Sequence, residues 1–311
     1  MLRFFASCLL LALCGLVAVA PLAGCGGGKK KKGKMTFGDM VAKAKKDTTP
    51  GGPARELARV ARLQIKSGDK AGAKKTLEEA RKTIGSDADP AVFAPRLIEI
   101  AAAYATIDDK KAAREGVDKA VVMAASVSDP VARVEVLSKA GRIYGGSLSD
   151  TTKAKTALAK AAEIATGTDV SDRFRPQALA AVALGYANAN LAGDATKVIE
   201  QLETLATSLE ELRPKAEALA AAANVRFKSG EKPRAAELLK DAATAAKAID
   251  GSANKTYALI AVANAMIAAD DSKGAAALAA EAEKTAGKIS DAEQQKDAMQ
   301  ELRALEAALK E

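Results

Sequence analysis

Histidine and tryptophan are absent from the 311 residues, and aromatic residues make up only 3% of the chain. Histidine is the commonest general base and the commonest metal ligand, so its absence removes the usual catalytic and metal-binding arrangements. The three cysteines are Cys8, Cys14 and Cys25, and no later residue supplies a thiol. No phosphate-binding glycine motif or metal-ligand spacing is present in the sequence. We therefore expect a protein that is not an enzyme and holds no metal.

Excess positive charge is confined to the N-terminal part of the chain. The formal net charge is +8, and residues 1–47 carry nine basic and two acidic residues. The rest of the chain is nearly balanced, with 38 basic and 37 acidic residues. A nucleic-acid-binding domain normally presents a basic face on its folded body. Because the body has no such excess, we expect no nucleic-acid partner.

An apolar run extends from Phe4 to Ala20, after Arg3, and small residues lie just before Cys25. A basic residue, an apolar core and small residues at a cleavage point are typical of a secretory signal peptide. The run Leu-Ala-Gly-Cys at residues 22–25 also resembles the lipobox of bacterial lipoproteins. The alternative is an uncleaved membrane anchor, since the apolar run is nearly long enough to span a bilayer.

The lipoprotein resemblance implies that residues 1–24 are a removable signal peptide. It implies cleavage before Cys25 and attachment of lipid to the cysteine sulfur and to the new amino terminus, so this lipid is the only attached group that we expect. The chain would then be exported and anchored in a membrane. Gly26, rather than an aspartate, follows the cysteine. By the same resemblance, this favours the periplasmic side of the outer membrane over the inner membrane or the cell surface.

Residues 25–52 are predicted to be a flexible tether. A triple glycine and a lysine cluster follow the lipobox cysteine, and the lysines are Lys29, Lys30, Lys31, Lys32 and Lys34. A lysine close to an anionic membrane contributes about 1 kcal/mol to binding, so these side chains are candidate contacts with lipid headgroups. The alternative is a solvated spacer. Residues 35–46 are compatible with one short helix.

Six leucines recur at gaps of 40, 40, 42, 40 and 40 residues: Leu57, Leu97, Leu137, Leu179, Leu219 and Leu259. Mostly apolar or small residues recur three and four positions after each leucine, with a more varied residue at the seventh, and this spacing marks one face of an α-helix. A second pattern follows in each unit after a short polar turn, as at Ala73, Leu77 and Ala80. The sequence therefore predicts an all-α protein with about six helix–turn–helix units over residues 53–289.

The second unit resembles the tetratricopeptide repeat most closely. It reads Leu97-x2-Ile100-Ala101-x2-Tyr104, then Ala113-x3-Val117-x2-Ala120. In that family W-x2-L-G-x2-Y is followed by A-x3-F in a 34-residue period. Leucine replaces the tryptophan in all six units and the period is longer, so the alternative is a helical-hairpin solenoid of another family. Either family predicts an α-solenoid in which neighbouring hairpins share a core.

The ends of the helices also carry predictions. An acid at the start of the second helix is expected to cap it, and prolines such as Pro95 are expected just before the first helix. Residues 290–311 are predicted to form a C-terminal capping helix, with Ser290 and Glu293 as a capping box.

The tetratricopeptide resemblance implies a groove lined by the first helices, which holds an extended peptide or a partner helix. Candidate positions lie five and nine residues after each repeating leucine. The residues selected as partner contacts are Arg62, Lys66, Arg142, Asn224, Lys228 and Asn264. Asparagine satisfies the donors and acceptors of a peptide backbone, and the basic residues favour an acidic segment or a C-terminal carboxylate. The alternative is that they are ordinary exposed polar residues.

Together these features predict a membrane-anchored, extracytoplasmic lipoprotein that serves as a scaffold for a protein or peptide partner in the cell envelope. The membrane itself is the second expected partner, through the lipid anchor. The alternative is a structural envelope protein that self-associates and has no dedicated peptide groove.

Overall fold

The computed structural model describes residues 35–85 and 88–310. Over these residues the chain forms fourteen α-helices and no strand. A short helix, α1 (Phe37–Ala44), comes first, and α14 (Ala292–Ala308) comes last. The twelve between them form six pairs, called units 1 to 6: α2 (Gly52–Lys66) with α3 (Lys70–Lys82), α4 (Pro90–Thr106) with α5 (Lys110–Ala124), α6 (Pro130–Arg142) with α7 (Thr151–Thr166), α8 (Arg175–Asn188) with α9 (Ala192–Ser208), α10 (Leu212–Lys228) with α11 (Lys232–Lys247), and α12 (Ser252–Ala268) with α13 (Ser272–Ala286).

The repeating leucines form the centre of the core. All six are buried, with at most 3% of their surface exposed. The residue four positions later is also buried in every unit, and it is alanine in five units and Gly141 in unit 3. Small residues at this position allow neighbouring helices to approach closely. The prediction of an all-α solenoid built from helical repeats is therefore confirmed.

Two layers of helices result from the packing. The first helices of the units, α2, α4, α6, α8, α10 and α12, pack against one another in chain order and are called the first-helix layer. Each second helix packs against the first helix of its own unit and the first helix of the next element. Each hairpin thus buries its apolar face only by stacking, so stability is distributed over the interfaces between units.

The caps of the second helices follow the prediction in three units. Asp69, Asp109 and Asp271 each accept a hydrogen bond from a backbone N–H of the first turn, at 2.8, 3.1 and 2.8 Å. Two other expected caps are wrong. Asp194 lies within the first turn of α9, and Glu231 makes no capping bond to α11. The longer glutamate side chain bonds a neighbouring arginine instead.

Two helix starts also differ from the prediction. Helix α4 begins at Pro90, so Pro95 lies inside this helix rather than before it. A proline costs least in the first turn, where Pro90 sits, because the N–H that it lacks would have no partner there. At the C-terminal helix, Asp291 rather than Ser290 is the cap, and its carboxylate accepts from the Gln294 N–H at 2.7 Å.

Unit 3 contains the irregularity that lengthens one repeat to 42 residues. Helix α6 continues into a π-helical turn, Ile143–Ser147, before α7. The chain needs glycine around this turn. A Cβ atom on Gly141 would lie 2.4 Å from Leu158 Cγ, and one on Gly145 would lie 2.4 Å from Ala189 Cβ. These contacts are shorter than real side chains tolerate, so Gly141 permits the close packing of α6 on α7 within unit 3, and Gly145 permits that of unit 3 on unit 4.

Candidate binding surface

The first-helix layer positions the residues selected from the sequence. Arg62, Lys66, Arg142, Lys228 and Asn264 are exposed on this layer. Asn224, the sixth, is partly buried. These positions follow the buried leucines by five or nine residues, so they flank the packed face of each helix. The structure therefore leaves five of the six available to solvent, and Asn224 only in part.

A shallow cleft joins three units on this layer. It has a volume of about 300 Å³ and lies across α4, α6 and α8. Its lining residues are Ala102, Thr106, Arg142, Ile143, Gly146, Ser147 and Asn188. Five of these occupy the positions five or nine residues after a repeating leucine. Equivalent positions of consecutive units thus come together in one cleft, which is what a groove for an extended segment requires.

Arg142 is the charged side chain of this cleft. It lies at the end of α6 and makes no ion pair with any residue in the described part of the chain. Asn188, at the opposite side, donates from Nδ2 to the Leu184 carbonyl oxygen at 2.6 Å. This bond leaves the Asn188 amide oxygen as an acceptor. The cleft therefore offers one unpaired guanidinium and one amide acceptor.

The basic residue of unit 1 differs from Arg142. Arg62 Nη2 lies 3.8 Å from Glu99 Oε2 on α4, and Arg96 bonds the other oxygen of the same carboxylate at 2.7 Å. Arg62 therefore stands beside an acidic group of the next unit. An incoming carboxylate would be repelled by Glu99, so Arg62 is a weaker anion-binding candidate than Arg142.

Asn224 presents an unusual polar group. Its Oδ1 atom is buried and accepts no hydrogen bond from any described residue. A buried acceptor without a partner typically costs about 1–3 kcal/mol. Asn264, at the same position of the next unit, is exposed. Gln64 Oε1 on α2 is also buried without a described partner, but among the six selected residues Asn224 alone has such an atom.

Comparison with known proteins gives only a distant likeness of fold. No family model matches the chain, and no curated protein matches it. Among solved structures, the crystal structure of Ton1535 from Thermococcus onnurineus NA1 is similar. That comparison covers 84% of this chain and 94% of the other at 14% identity, with a TM-score of 0.41. This likeness carries no argument about fold or function; the all-helical, repeat-like architecture rests on the helices and their packing described above.

Ion pairs between units are a feature that the repeat analysis missed. Lys74 Nζ lies 2.8 Å from Asp109 Oδ2, which links α3 to the cap of α5. Arg114 pairs in the same way with Asp150, the cap of α7. The hydrogen bond from the Lys74 ammonium is the main reason that the pKa of the Asp109 carboxyl is lowered. Opposite charges 35 and 36 residues apart are visible in the sequence, so these pairs could have been found.

Units 4 and 5 are joined by a larger and more buried network. Arg226 occupies the position of the tyrosine in units 2 to 4, and its Nε atom lies 2.5 Å from Glu203 Oε1 on α9. Arg234 bonds the other Glu203 oxygen at 2.9 Å, and Glu231 bonds Arg226 at 2.8 Å. Burial raises the pKa of Glu203, but the hydrogen bonds from the two arginines outweigh it and the net pKa is lowered.

Several predicted residues lie outside the described residues: Cys25, Lys29, Lys30, Lys31, Lys32 and Lys34. Lipid attachment and headgroup contact there stay predictions. Within residues 35–85 and 88–310, no helix is both long and apolar enough to span a bilayer. In the same part of the chain, no cluster of three or more acidic residues is arranged to hold a metal ion.

Proposed function

We propose that the chain is a membrane-anchored extracytoplasmic lipoprotein whose first-helix layer binds an extended, acidic peptide segment of an envelope protein. The observation that carries this proposal is the cleft across α4, α6 and α8, where equivalent positions of three units meet beside the unpaired Arg142. An extended segment that crosses successive units would meet a similar set of positions at each step.

Arg142 favours an acidic residue or a C-terminal carboxylate in that segment. A guanidinium binds a carboxylate through two parallel hydrogen bonds, which are stronger than bonds between neutral groups. Arg142 requires no rearrangement of an existing ion pair to form them. Thr106 and the Asn188 amide oxygen are close enough to contact the backbone of the same segment, since they line the same cleft.

Asn224 supports an extension of the binding surface toward units 5 and 6. A rotation of the Asn224 side chain would bring its buried Oδ1 to the surface, where a backbone N–H of the partner would supply the hydrogen bond that it lacks. Asn264 stands 40 residues later at the equivalent position of α12. The two amides would then hold the backbone at consecutive units, whatever side chains it carries.

The membrane anchor in this proposal rests on the lipobox-like run that ends at Cys25. A lipid on Cys25 would hold the repeat domain at a membrane face through the predicted tether. Anchoring raises the effective concentration of the domain near other envelope proteins, so a modest affinity suffices for a lasting complex.

The proposal is tested by capture from the native envelope with the full-length, detergent-solubilised protein. The variants are Arg142→Ala, and Asn224→Ala combined with Asn264→Ala. The matched control is Lys160→Ala, because Lys160 is exposed on the second helix α7. Loss of one charge-assisted hydrogen bond at Arg142, or of two neutral hydrogen bonds in the double variant, corresponds to roughly a tenfold loss of affinity. We expect that loss in both groove variants and wild-type capture with the control.

Equal capture by all four proteins would remove the groove assignment. If the bound protein is a second copy of this chain, the alternative of a self-associating structural protein replaces the scaffold. Light scattering of the purified chain separates these outcomes, because self-association gives a mass that rises with concentration.

A further inference from the structure

The interface between units 5 and 6 contains a cavity of about 540 Å³. It lies between α11 and the turn that joins α12 to α13. Apolar residues form much of its lining, including Ala236, Leu239, Ala243, Met266 and Ala269. Leu239, Ala243 and Met266 belong to the buried core, whereas Ala236 is exposed at the mouth. The cavity is therefore an open pocket whose floor is the hydrophobic core.

The corresponding space between units 1 and 2 is occupied by side chains of the chain itself. Counted from the repeating leucines, Ala236 corresponds to Lys74 and Ala243 to Arg81. On the facing unit, Met266 corresponds to Tyr104 and Ala269 to Ile107. In units 1 and 2, Lys74 reaches Asp109, and the Arg81 guanidinium lies 5.9 Å from the centre of the Tyr104 ring.

Each of the four replacements removes volume, and two of them also remove a positive charge. Smaller side chains at all four positions open the cavity between units 5 and 6. Ala236 replaces the Lys74 ammonium and Ala243 replaces the Arg81 guanidinium. The cavity thus occupies the space that two cations and two larger side chains fill between units 1 and 2.

Units 5 and 6 retain an equivalent of the Asp109 carboxylate, which pairs with Lys74 in units 1 and 2. Asp271 caps α13 as Asp109 caps α5, and each uses Oδ1 to accept a backbone N–H. Asp109 Oδ2 then binds Lys74 at 2.8 Å, whereas Asp271 makes no ion pair with any residue that the structure describes. A Cβ atom on Gly274 would lie 2.2 Å from Asp271 Oδ2 and 3.0 Å from the Met266 sulfur. The free carboxylate oxygen therefore lies next to the apolar lining.

We propose that this cavity binds a small organic ammonium ion, with its charged nitrogen on Asp271 Oδ2 and its apolar stem over Ala236, Ala243 and Met266. The Lys74–Asp109 pair provides the pattern for the polar contact, and the four small side chains provide the space. A primary amine on an aliphatic or arylalkyl stem reproduces the groups that units 1 and 2 supply internally. The assignment is independent of the proposed peptide groove, because none of the six candidate partner contacts lines this cavity.

Three lysines at the cavity set its selectivity. Lys232 Nζ lies 5.1 Å from the centre of the Phe227 ring, and Lys247 lies 4.0 Å from Glu281. Lys240 lies one helical turn after Ala236 and forms no ion pair with any described residue. These lysines repel any cation, and Asp270 and Asp271 of the same lining offset this for a single charge. A second positive charge on the ligand meets no further carboxylate of the lining, so a monocation is preferred over a diamine. Lys240 is also the internal cation that competes for Asp271.

The test is a titration of the full-length protein with phenethylammonium and n-butylammonium ions, with 2-phenylethanol as the uncharged control. Methyl signals of the methionines report the site, and Met266→Leu assigns the signal of Met266. We expect a saturable shift of the Met266 methyl, with Met40 and Met299 unchanged. A ligand of about ten heavy atoms gives a dissociation constant on the order of 1 mM.

Three variants separate the proposed contact from simple partition into an apolar pocket. Asp271→Asn keeps an oxygen for the cap and removes the charge; because Asp271 is exposed, we expect an amine affinity that is weaker by about threefold to fivefold. Ala236→Lys restores the internal cation and should abolish the shift. Lys240→Met removes the competitor and should tighten binding.

The proposal is overturned by any of three results. The first is a Met266 methyl that does not respond to either amine. The second is an equal affinity for 2-phenylethanol, which would show that charge is irrelevant. The third is unchanged amine binding in Asp271→Asn, which would place the nitrogen elsewhere.

Discussion

Replacement of Arg226 by methionine tests how the interface between units 4 and 5 is stabilised. The Arg226 and Glu203 side chains are only 10% and 13% exposed, so this pair is largely removed from water. Removal of one partner from a buried ion pair typically costs about 3–5 kcal/mol, because the other charge stays buried without compensation. Arg234 still contacts Glu203 in the variant. We therefore expect the smaller cost of about 2 kcal/mol.

Methionine is a suitable replacement because Met266 occupies the same position in unit 6. The second variant, Arg226→Met with Glu203→Met, removes both charges from the interface. Replacement of a whole buried pair by apolar residues is often neutral or stabilising. We therefore expect the double variant to recover most of the stability that the single variant loses.

The assay combines thermal unfolding with hydrogen exchange. A change of about 2 kcal/mol lowers the melting temperature of a domain of this size class by about 4–8 °C. Because a repeat array opens locally, exchange of the α9 and α10 amides resolves the interface itself. We attribute the loss of stability in Arg226→Met to the Glu203 charge that stays buried without its partner. Equal destabilisation in the single and double variants, or none in either, would refute this.

Three further predictions concern packing, pH and anchoring. Gly141→Ala should destabilise the protein by about 1–3 kcal/mol through overlap with Leu158. Gly193→Ala, whose added Cβ meets no atom within 4 Å, should be neutral or slightly stabilising in chemical denaturation, and equal effects would contradict the packing account. Because folding lowers the pKa of Glu203 from its ordinary value of 4.5, the ionised carboxylate stabilises the folded protein at pH values above 4.5. This stabilisation is lost as the pH falls through the pKa of the folded state. Thermal melts should therefore fall more steeply below about pH 4.5 for wild type than for the double variant; parallel curves would exclude Glu203. Cys25→Ser should abolish acylation and release the protein from membranes, as measured by mass spectrometry and fractionation, and continued acylation would disprove the lipobox assignment.

The repeating units were predictable because their signal is periodic. Six leucines with small residues four positions later specify both the helix face and the stacking period, and all six leucines are buried. Second-helix caps were predictable where the acid is aspartate at the turn, as at Asp69 and Asp271. The prediction for Glu231 was wrong because the side chain has a competing partner in Arg226, which no local pattern reveals.

The irregular features were not predictable from the repeat spacing. Pro95 lies inside α4 because Pro90 starts the helix a turn earlier; Asp89, the cap directly before Pro90, is the sequence signal for this start that the repeat spacing overlooks. The π-helical turn after α6 adds lining residues to the cleft, including Ile143 and Ser147. The cavity beside Ala236 follows from the comparison of equivalent positions in two interfaces, and those positions were known only once the helices were paired.

The most direct test of the scaffold proposal is photocrosslinking in the native envelope. A benzophenone amino acid at Thr106, on the rim of the cleft, is compared with the same group at Val122, which is 73% exposed on α5. The account predicts a crosslink from position 106 to one envelope protein other than this chain, weakened by Arg142→Ala, and none of that product from position 122. The same product from both positions, or none from position 106, would contradict it.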